Sequence, residues 1–178
     1  LTRGRVFLEG AETGTLTEVL KVIEKTGAVV HTSPRGIFLD AREAFLPAGR
    51  VETSPYPGFP TDLQSALLSA MTVARGKSEI EENIFEARFQ TAAQLRRMGA
   101  DLEIKGNRAL IRGVSSLHGT FVRAKELRGG AALVLAALGA EGTTLIQDDG
   151  YIERGYEDLL RDLGALGACM QSSTVKTK

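Results

Sequence analysis

Residues 55–64 read Pro-Tyr-Pro-Gly-Phe-Pro-Thr-Asp-Leu-Gln. Three prolines and one glycine in the first six of these positions fix an extended backbone, because proline cannot continue a helix and also restricts the residue before it. Thr61 and Asp62 follow the last proline, and an apolar run then covers residues 63–74. This pattern predicts a rigid loop that delivers Asp62 to the first turn of a helix.

Hydrophobic periodicity predicts alternating strands and helices on both sides of this loop. Helices are expected at residues 15–26, 62–74, 91–98, 127–140 and 155–163. Strands are expected at residues 5–9, 28–32, 36–41, 78–84, 143–147 and 168–171, with a short strand near Val122. Apolar residues flank Gly106-Asn107, which predicts a hairpin that turns at this pair. The polar tail at residues 172–178 is expected to fray.

Several segments of the chain recur at a regular interval. Residues 26–28, 98–100 and 166–168 each place a Gly-Ala pair between a predicted helix and a predicted strand. Residues 62–64 and 126–128 each begin a predicted helix with an acidic residue and a leucine. The spacing gives a unit of roughly 65–70 residues, which indicates an internal duplication. The unit is a strand, a helix, a strand, a helix and a hairpin, and we expect two full units with parts of a third split between the chain ends.

The predicted helices are of two kinds. Those that begin at Asp62 and Leu127 are apolar nearly all round, so each must be buried on most sides. The helices that end at Gly27, Gly99 and Gly164 are amphipathic. We therefore expect an α/β (α+β) fold with the apolar helices at the centre, the strands in sheets outside them, and pseudo-threefold symmetry.

Composition is that of an ordinary globular protein, since 43% of the 178 residues are hydrophobic and 25% are charged. One domain covering residues 1–178 is expected at this length. Lys plus Arg total 22 and Asp plus Glu also total 22, so there is no net charge that would favour nucleic acid or membrane partners. The apolar run at residues 131–138 is too short to span a bilayer. One cysteine excludes an internal disulfide and two distant histidines offer no metal site, so a reducing cytoplasm is the expected setting.

Asp62 has two interpretations that its position leaves open. A carboxylate in the first turn of a helix interacts with free amides and the helix dipole, an effect of roughly 0.3–1 kcal/mol. Alternatively, Asp62 would accept a proton from the hydroxyl group of a ligand held against the rigid loop. Because a helix N-terminus lowers the pKa of an aspartate, we expect Asp62 to be ionised at neutral pH under either interpretation.

Arg88, Arg128 and Arg154 form a second candidate group. Each lies at or just before the start of a predicted helix, and the repeat symmetry would bring these positions to one end of the bundle. Three guanidiniums beside helix N-termini would bind a small, multiply charged anion. The alternative is a local ion pair between each arginine and the glutamate one or two positions before it.

Seven segments resemble those of a known family: PYPGFPTDLQ, ENIFEARF, RRMGADLEIKGN, IRGVSSLHG, ELRGGAALVLA, AEGTT and IERGYE. In this order and at these spacings, across residues 5–170, they resemble the UDP-N-acetylglucosamine 1-carboxyvinyltransferases, or MurA enzymes, of the EPSP synthase-like family. The resemblance implies a two-domain enzyme. Each domain is an inside-out α/β barrel of three βαβαββ repeats, with its helices inside and its sheets outside.

The resemblance also implies an activity. The family transfers the enolpyruvyl group of phosphoenolpyruvate to the 3-hydroxyl of UDP-N-acetylglucosamine and releases phosphate. The transfer proceeds by addition to a tetrahedral ketal and then elimination, and it requires neither a metal nor an organic cofactor. It is the first committed step of peptidoglycan synthesis, in the bacterial cytoplasm.

Site residues carry over one at a time. By resemblance, Asp62 binds the sugar substrate and deprotonates its hydroxyl, Ile84 contacts the nucleotide sugar through its main chain, and Phe85 lies beside the sugar. The resemblance assigns phosphoenolpyruvate to three arginines, Arg88, Arg128 and Arg154. Glu126 departs from the family pattern, which usually has aspartate before Leu-Arg, so a cleft contact built on the shorter side chain is in question.

Other family residues have no counterpart here. The family's lysine-asparagine pair and its loop with a cysteine or aspartate lie upstream, and Cys169 matches neither. The chain is therefore expected to be about one domain that lacks its first strand and helix, to need the missing N-terminal half as a partner, and to be inactive alone. Two alternatives are a transferase acting on shikimate 3-phosphate, with the same fold and chemistry, and a non-catalytic barrel used for packing or regulation.

Overall fold

The computed structural model describes residues 1–173, and the remaining part of the predicted polar tail, residues 174–178, lies outside the described residues. Strands and α-helices alternate along the described chain in the order β1 (Arg5–Glu9), α1 (Thr17–Lys25), β2 (Val29–Ser33), β3 (Gly36–Asp40), β4 (Arg50–Glu52), α2 (Gln64–Met71), β5 (Lys77–Glu81), α3 (Ala92–Arg97), β6 (Asp101–Lys105), β7 (Arg108–Arg112), β8 (Phe121–Arg123), α4 (Leu127–Leu138), β9 (Leu145–Gln147) and α5 (Leu159–Ala165). The α/β fold class is confirmed.

The strands form three sheets, with the orders β1-β3-β2, β4-β5-β7-β6 and β8-β9. The first sheet is antiparallel throughout. In the second sheet β4 runs parallel to β5, while β7 is antiparallel to both β5 and β6. The third sheet is a parallel pair. The predicted hairpin is confirmed, because Lys105 pairs with Arg108 across Gly106-Asn107 and Gly106 has the positive φ of 60° that suits glycine.

The two apolar helices, α2 and α4, pack against each other at the centre of the core. Leu68 of α2 and Leu133 of α4 are both 1% exposed. The Ser69 hydroxyl of α2 donates a 2.9 Å hydrogen bond to the carbonyl oxygen of Ala132, which is possible only because small residues let the two backbones approach closely. Burial of these helices on most sides is therefore confirmed, and the second sheet covers them through buried residues such as Ile80.

The repeat is less complete than the sequence pattern predicts. In the order strand, helix, strand, helix, hairpin, one unit is complete within residues 1–173: β4-α2-β5-α3-β6-β7. The segment β1-α1-β2-β3 has no apolar helix, and the segment β8-α4-β9-α5 is not followed by a described hairpin. Two central helices are therefore present in this part of the chain, and neither a third one nor a closed pseudo-threefold barrel is observed in it.

Three predictions about individual elements were wrong. Residues 168–171 are not a strand, since their described backbone pairs with no other strand. The strand β4 was missed, because its three residues are too few to show a periodic pattern in the sequence. The last helix begins at Leu159 rather than at residue 155, since residues 151–155 form turns and the Asp158 side chain caps the helix with a 2.9 Å bond from the Arg161 amide.

Helix lengths in the described chain also bear on membranes. None of the helices in residues 1–173 is long and apolar enough to cross a bilayer. The longest, α4, has 12 residues, against the roughly 20 that a span requires.

Candidate functional site

Two pairs of parallel strands determine which loops meet. In the first pair, Glu52 at the end of β4 is in register with Glu81 at the end of β5, so the loops that follow leave the sheet at the same edge. The loop after β4 leads to Asp62 and the loop after β5 leads to Arg88. The pair β8 and β9 repeats this arrangement for the loops that lead to Arg128 and to Tyr156. Asp62 contacts Arg88 and Arg128, and Arg128 contacts Tyr156, so all four loops lie at one end of the core.

Asp62 bridges two arginines from different loops. Its Oδ1 accepts a hydrogen bond from the Arg88 guanidinium at 3.1 Å, and its Oδ2 accepts one from the Arg128 guanidinium at 3.0 Å. The Asp62 side chain is 57% exposed, whereas that of Arg88 is 16% exposed and that of Arg128 is 30% exposed. The carboxylate is thus exposed to solvent, whereas the two guanidiniums that it contacts are more buried.

Two aromatic rings hold the guanidiniums. The Arg88 guanidinium carbon lies 5.2 Å from the centroid of the Phe85 ring, and that of Arg128 lies 5.9 Å from the centroid of Tyr156. Both distances fall within the range of cation–π attraction. The rings help to keep each cation in place, and Asp62 occupies one hydrogen-bond donor of each guanidinium.

The two arginines also set the charge state of Asp62. The hydrogen bond from Arg128 is the largest cause that lowers the pKa of the Asp62 carboxyl. Burial, the next largest effect, opposes it, and the charges of Arg128 and Arg88 lower the pKa further. In return, the hydrogen bond to Asp62 raises the pKa of Arg128. Asp62 is therefore ionised at neutral pH, as the sequence predicts, although its counter-ions are the arginines rather than helix amides.

Glu126 caps α4. Its Oε2 accepts a 3.0 Å hydrogen bond from the Arg128 amide, while its Oε1 is buried without a hydrogen-bond partner in the described chain. The residue therefore holds the start of the helix that carries Arg128. A cleft contact for Glu126 stays a prediction.

The alternative of local ion pairs finds no support at two arginines. Within residues 1–173, Arg88 and Arg128 pair with Asp62 and not with the neighbouring glutamates. Arg154 is exposed in the turn at residues 151–155, and in the described part of the chain it forms no ion pair or side-chain hydrogen bond. The structure thus brings Arg88 and Arg128 into contact with Asp62, whereas Arg154 is not shown in contact with any of them among the described residues.

Ile84 and Phe85 lie in the loop after β5, and both side chains are exposed. Their amides are already occupied, because each donates a hydrogen bond to Oε1 of Glu82, at 2.9 Å and 3.0 Å. A main-chain contact between Ile84 and a nucleotide sugar would therefore use the carbonyl oxygen. Glu82 itself was missed, because the acidic run at residues 79–82 is typical of a solvated surface, yet Glu82 is only 3% exposed.

A cavity lies directly below the charged cluster. It has a volume of about 160 Å³, and its lining includes Asp62, Arg128 and Tyr156 together with apolar residues of α2, α4 and α5. Pockets for drug-sized ligands have volumes of roughly 300–1,000 Å³, so this cavity is too small to hold a nucleotide sugar. A cleft of about 280 Å³ between α1 and β2 contains none of the predicted site residues. The candidate site is therefore an open charged surface at the end of the core.

This geometry can be compared with known proteins. The sequence profile of the family described as EPSP synthase (3-phosphoshikimate 1-carboxyvinyltransferase) matches residues 1–163. The chain belongs to this family. Within it, the chain is 47% identical over 168 residues to UDP-N-acetylglucosamine 1-carboxyvinyltransferase 1 of Legionella pneumophila (strain Lens) and 43% identical over 168 residues to the UDP-N-acetylglucosamine 1-carboxyvinyltransferase of Methylocella silvestris. Each alignment covers 94% of this chain.

Solved structures agree with this membership. The enolpyruvyl transferase NikO of Streptomyces tendae superimposes with a TM-score of 0.75 and 29% identity, over 86% of this chain and 36% of NikO. The EPSP synthase of Acinetobacter baumannii, at 19% identity, has a TM-score of 0.73 over 97% of this chain and 41% of its own, which supports the fold alone. This EPSP synthase-family chain spans about a third of the Legionella relative (33%) and 39% of the Methylocella relative.

Proposed function

We propose that this chain is one domain of an enzyme that transfers the enolpyruvyl group of phosphoenolpyruvate to the 3-hydroxyl of UDP-N-acetylglucosamine and releases phosphate. The observation that carries the proposal is the contact of Asp62 with both Arg88 and Arg128 at the end of the core. The identity of 47% to a UDP-N-acetylglucosamine 1-carboxyvinyltransferase supports this choice of sugar substrate.

The two arginines are proposed to bind phosphoenolpyruvate, with Arg154 as a third contact from the adjacent turn. Phosphoenolpyruvate carries a carboxylate and a phosphate, and guanidiniums bind both groups bidentately. Asp62 occupies the guanidiniums of Arg88 and Arg128 in the structure, so the incoming anion would take over these donors. That exchange would free the Asp62 carboxylate to accept a hydrogen bond from the sugar hydroxyl.

Asp62 is proposed to act as the proton acceptor. The sugar oxygen bonds to the phosphate-bearing carbon of phosphoenolpyruvate, its proton passes to Asp62, and a proton adds to the methylene carbon to give a tetrahedral ketal. Loss of phosphate and of one methyl proton then restores the double bond. Because the neighbouring arginines lower the pKa of Asp62, its carboxylate accepts the proton as the new bond forms and not beforehand.

Sugar recognition is assigned to the loop after β5. The exposed Phe85 ring is proposed to lie against the sugar, and the carbonyl of Ile84, whose amide is bonded to Glu82, is proposed to contact the nucleotide. The remaining length of the enzyme, by analogy with the longer relatives, would supply the facing wall of the active site. The bacterial cytoplasm is the proposed location, and no metal or organic cofactor is part of the proposal.

Replacement of Asp62 tests this function directly. In the full-length enzyme, Asp62→Asn keeps the shape of the side chain but removes the proton acceptor, and we expect kcat to fall by about 10²–10⁴-fold. Asp101→Asn is a matched control, because Asp101 is an exposed carboxylate that pairs with Arg112 outside the cluster. Wild-type kcat in Asp62→Asn would refute the proposal and favour a non-catalytic barrel.

The family description also names a second candidate, 3-phosphoshikimate 1-carboxyvinyltransferase. The two activities share their chemistry and differ in the acceptor alcohol. Measuring the Tm of the chain with each acceptor in turn distinguishes the two activities. Stabilisation by UDP-N-acetylglucosamine is the expected result, whereas a rise in Tm with shikimate 3-phosphate alone would favour the second activity.

A further inference from the structure

Glu82 is a buried carboxylate that no function proposed above uses. Its Oε2 accepts a 2.9 Å hydrogen bond from the hydroxyl of Thr61, and its Oε1 accepts the amides of Ile84 and Phe85. These partners are neutral, and in residues 1–173 Glu82 forms no ion pair. Burying a carboxylate without a counter-ion is costly unless its oxygens are hydrogen-bonded, so three such bonds mark a position that the fold holds firmly.

The partners of Glu82 belong to two different site loops. Thr61 directly precedes Asp62, at the end of the loop after β4. Phe85 lies in the loop after β5, and its ring supports the guanidinium of Arg88. One carboxylate therefore joins the segment that carries Asp62 to the segment that carries Arg88.

The second parallel pair offers an internal comparison. Asp148 follows β9 as Glu82 follows β5, and it likewise accepts amides of its own loop, from Tyr151 at 3.0 Å and from Ile152 at 3.2 Å. In the described chain Asp148 does not bond to the loop that leads into α4. Glu82 differs in the additional bond to Thr61, which its longer side chain allows. The link between two loops is thus specific to the pair that brings Asp62 to Arg88.

We propose that Glu82 is a positioning residue that fixes the separation of Asp62 and Arg88 by bonding Thr61 and the amides of Ile84 and Phe85 at once. This inference rests on the proposed transfer reaction for its catalytic consequence. Misplacing a reacting group by about 1 Å costs on the order of 10²-fold in rate, so the link matters even though Glu82 touches no substrate.

Kinetics of the full-length enzyme test the consequence. In Glu82→Ala the link is lost, and we expect kcat to fall about 10²-fold while KM for UDP-N-acetylglucosamine changes less. Glu82→Gln is expected to restore most of kcat, because its amide oxygen can accept the two backbone amides and its NH₂ group can donate to the Thr61 oxygen. Thr61→Val removes only the hydrogen bond between the loops, and its kcat should lie between those of Glu82→Ala and the wild type. Glu81→Ala is the control with unchanged kcat, because the half-buried Glu81 pairs with Arg50 and Arg108 outside the cluster.

A second measurement separates this inference from the proposed function. Nuclear magnetic resonance titration of Asp62 in the chain reports its distance from the arginines, because the neighbouring guanidiniums lower its pKa. We expect this pKa to rise toward its ordinary value in Glu82→Ala and to stay lowered in Glu81→Ala. If the wild-type enzyme transfers no enolpyruvyl group but the pKa still rises, the proposed function falls and the positioning role stands. If neither the pKa nor kcat responds to Glu82→Ala, the positioning role is refuted.

Discussion

The Asp62 carboxylate combines observed ion pairs with a proposed catalytic role at the same oxygen atoms. Each of its carboxylate oxygens bonds to one guanidinium, so the group is the counter-ion of Arg88 and Arg128 as well as the proposed proton acceptor. With more than half of the side chain exposed, these ion pairs are screened by water and are worth little to stability. The low cost of breaking them is compatible with the proposed transfer of both arginines to an anionic substrate.

The pH dependence of stability follows from the same contacts. Since the folded-state pKa of Asp62 is lowered, its stabilising effect is present above the ordinary aspartate value of about 3.9 and is lost as the pH falls through the lower folded-state pKa. We expect Asp62→Asn to reduce the free energy of unfolding at pH 7 by about 0.2–1 kcal/mol. Urea unfolding of the chain should show this difference shrinking progressively below about pH 4. A difference that persists unchanged in strong acid would mean that shape, and not charge, is responsible.

Helices were the most predictable elements. The sequence of α4, with Gly-Gly followed by alanines and leucines, has no polar face, and that pattern is sufficient to predict burial on most sides. The repeat predicted that Arg88, Arg128 and Arg154 lie at one end of the bundle, and Asp62 was a separate candidate at the start of an apolar helix. The contacts of Asp62 with Arg88 and Arg128 could not be predicted, since they depend on β4, whose three residues carry no periodic signal. The role of Glu82 could not be predicted for a similar reason, because its burial depends on hydrogen bonds from Thr61 and from its own loop.

Close packing at the start of α4 requires glycine at position 129. Glycine is usually poor in a helix, but a Cβ at Gly129 would collide with Oγ1 of Thr91 and Oε1 of Glu126. We therefore expect Gly129→Ala to destabilise the chain by about 1–3 kcal/mol, despite the higher helix propensity of alanine. Denaturant unfolding monitored by circular dichroism would measure the change.

Gly164 in α5 is the matched control for this substitution. A Cβ there meets no atom within 4 Å, so Gly164→Ala should be neutral or should stabilise by about 0.5–1 kcal/mol through helix propensity alone. If both substitutions had the same effect, the tight packing at the start of α4 would not be what requires glycine.

At the scale of the whole molecule, the candidate site is an open surface. The cavity beneath it, about 160 Å³, cannot enclose a nucleotide sugar. The chain also spans only 33% of its Legionella relative. The need for a further half of the enzyme stays a prediction, and the described residues contain one complete repeat unit.

An activity measurement follows from the open site. We expect the 178-residue chain alone, given phosphoenolpyruvate and UDP-N-acetylglucosamine, to release no phosphate above background, because water is not excluded from the reacting groups. A continuous phosphate assay at high chain concentration would measure this. Steady release that is abolished by Asp62→Asn would contradict the expectation, since it would locate all required groups within the chain.

The position of the cluster across two repeats bears on how such a site could arise. Asp62 and Arg88 come from the unit that contains α2, whereas Arg128 comes from the next one. If the repeat units arose by duplication, as the sequence pattern predicts, a single unit would supply Asp62 and Arg88 but not Arg128. Both cations would then meet at Asp62 only where two units are docked, so the proposed anion site would belong to the pair of units and to neither unit alone.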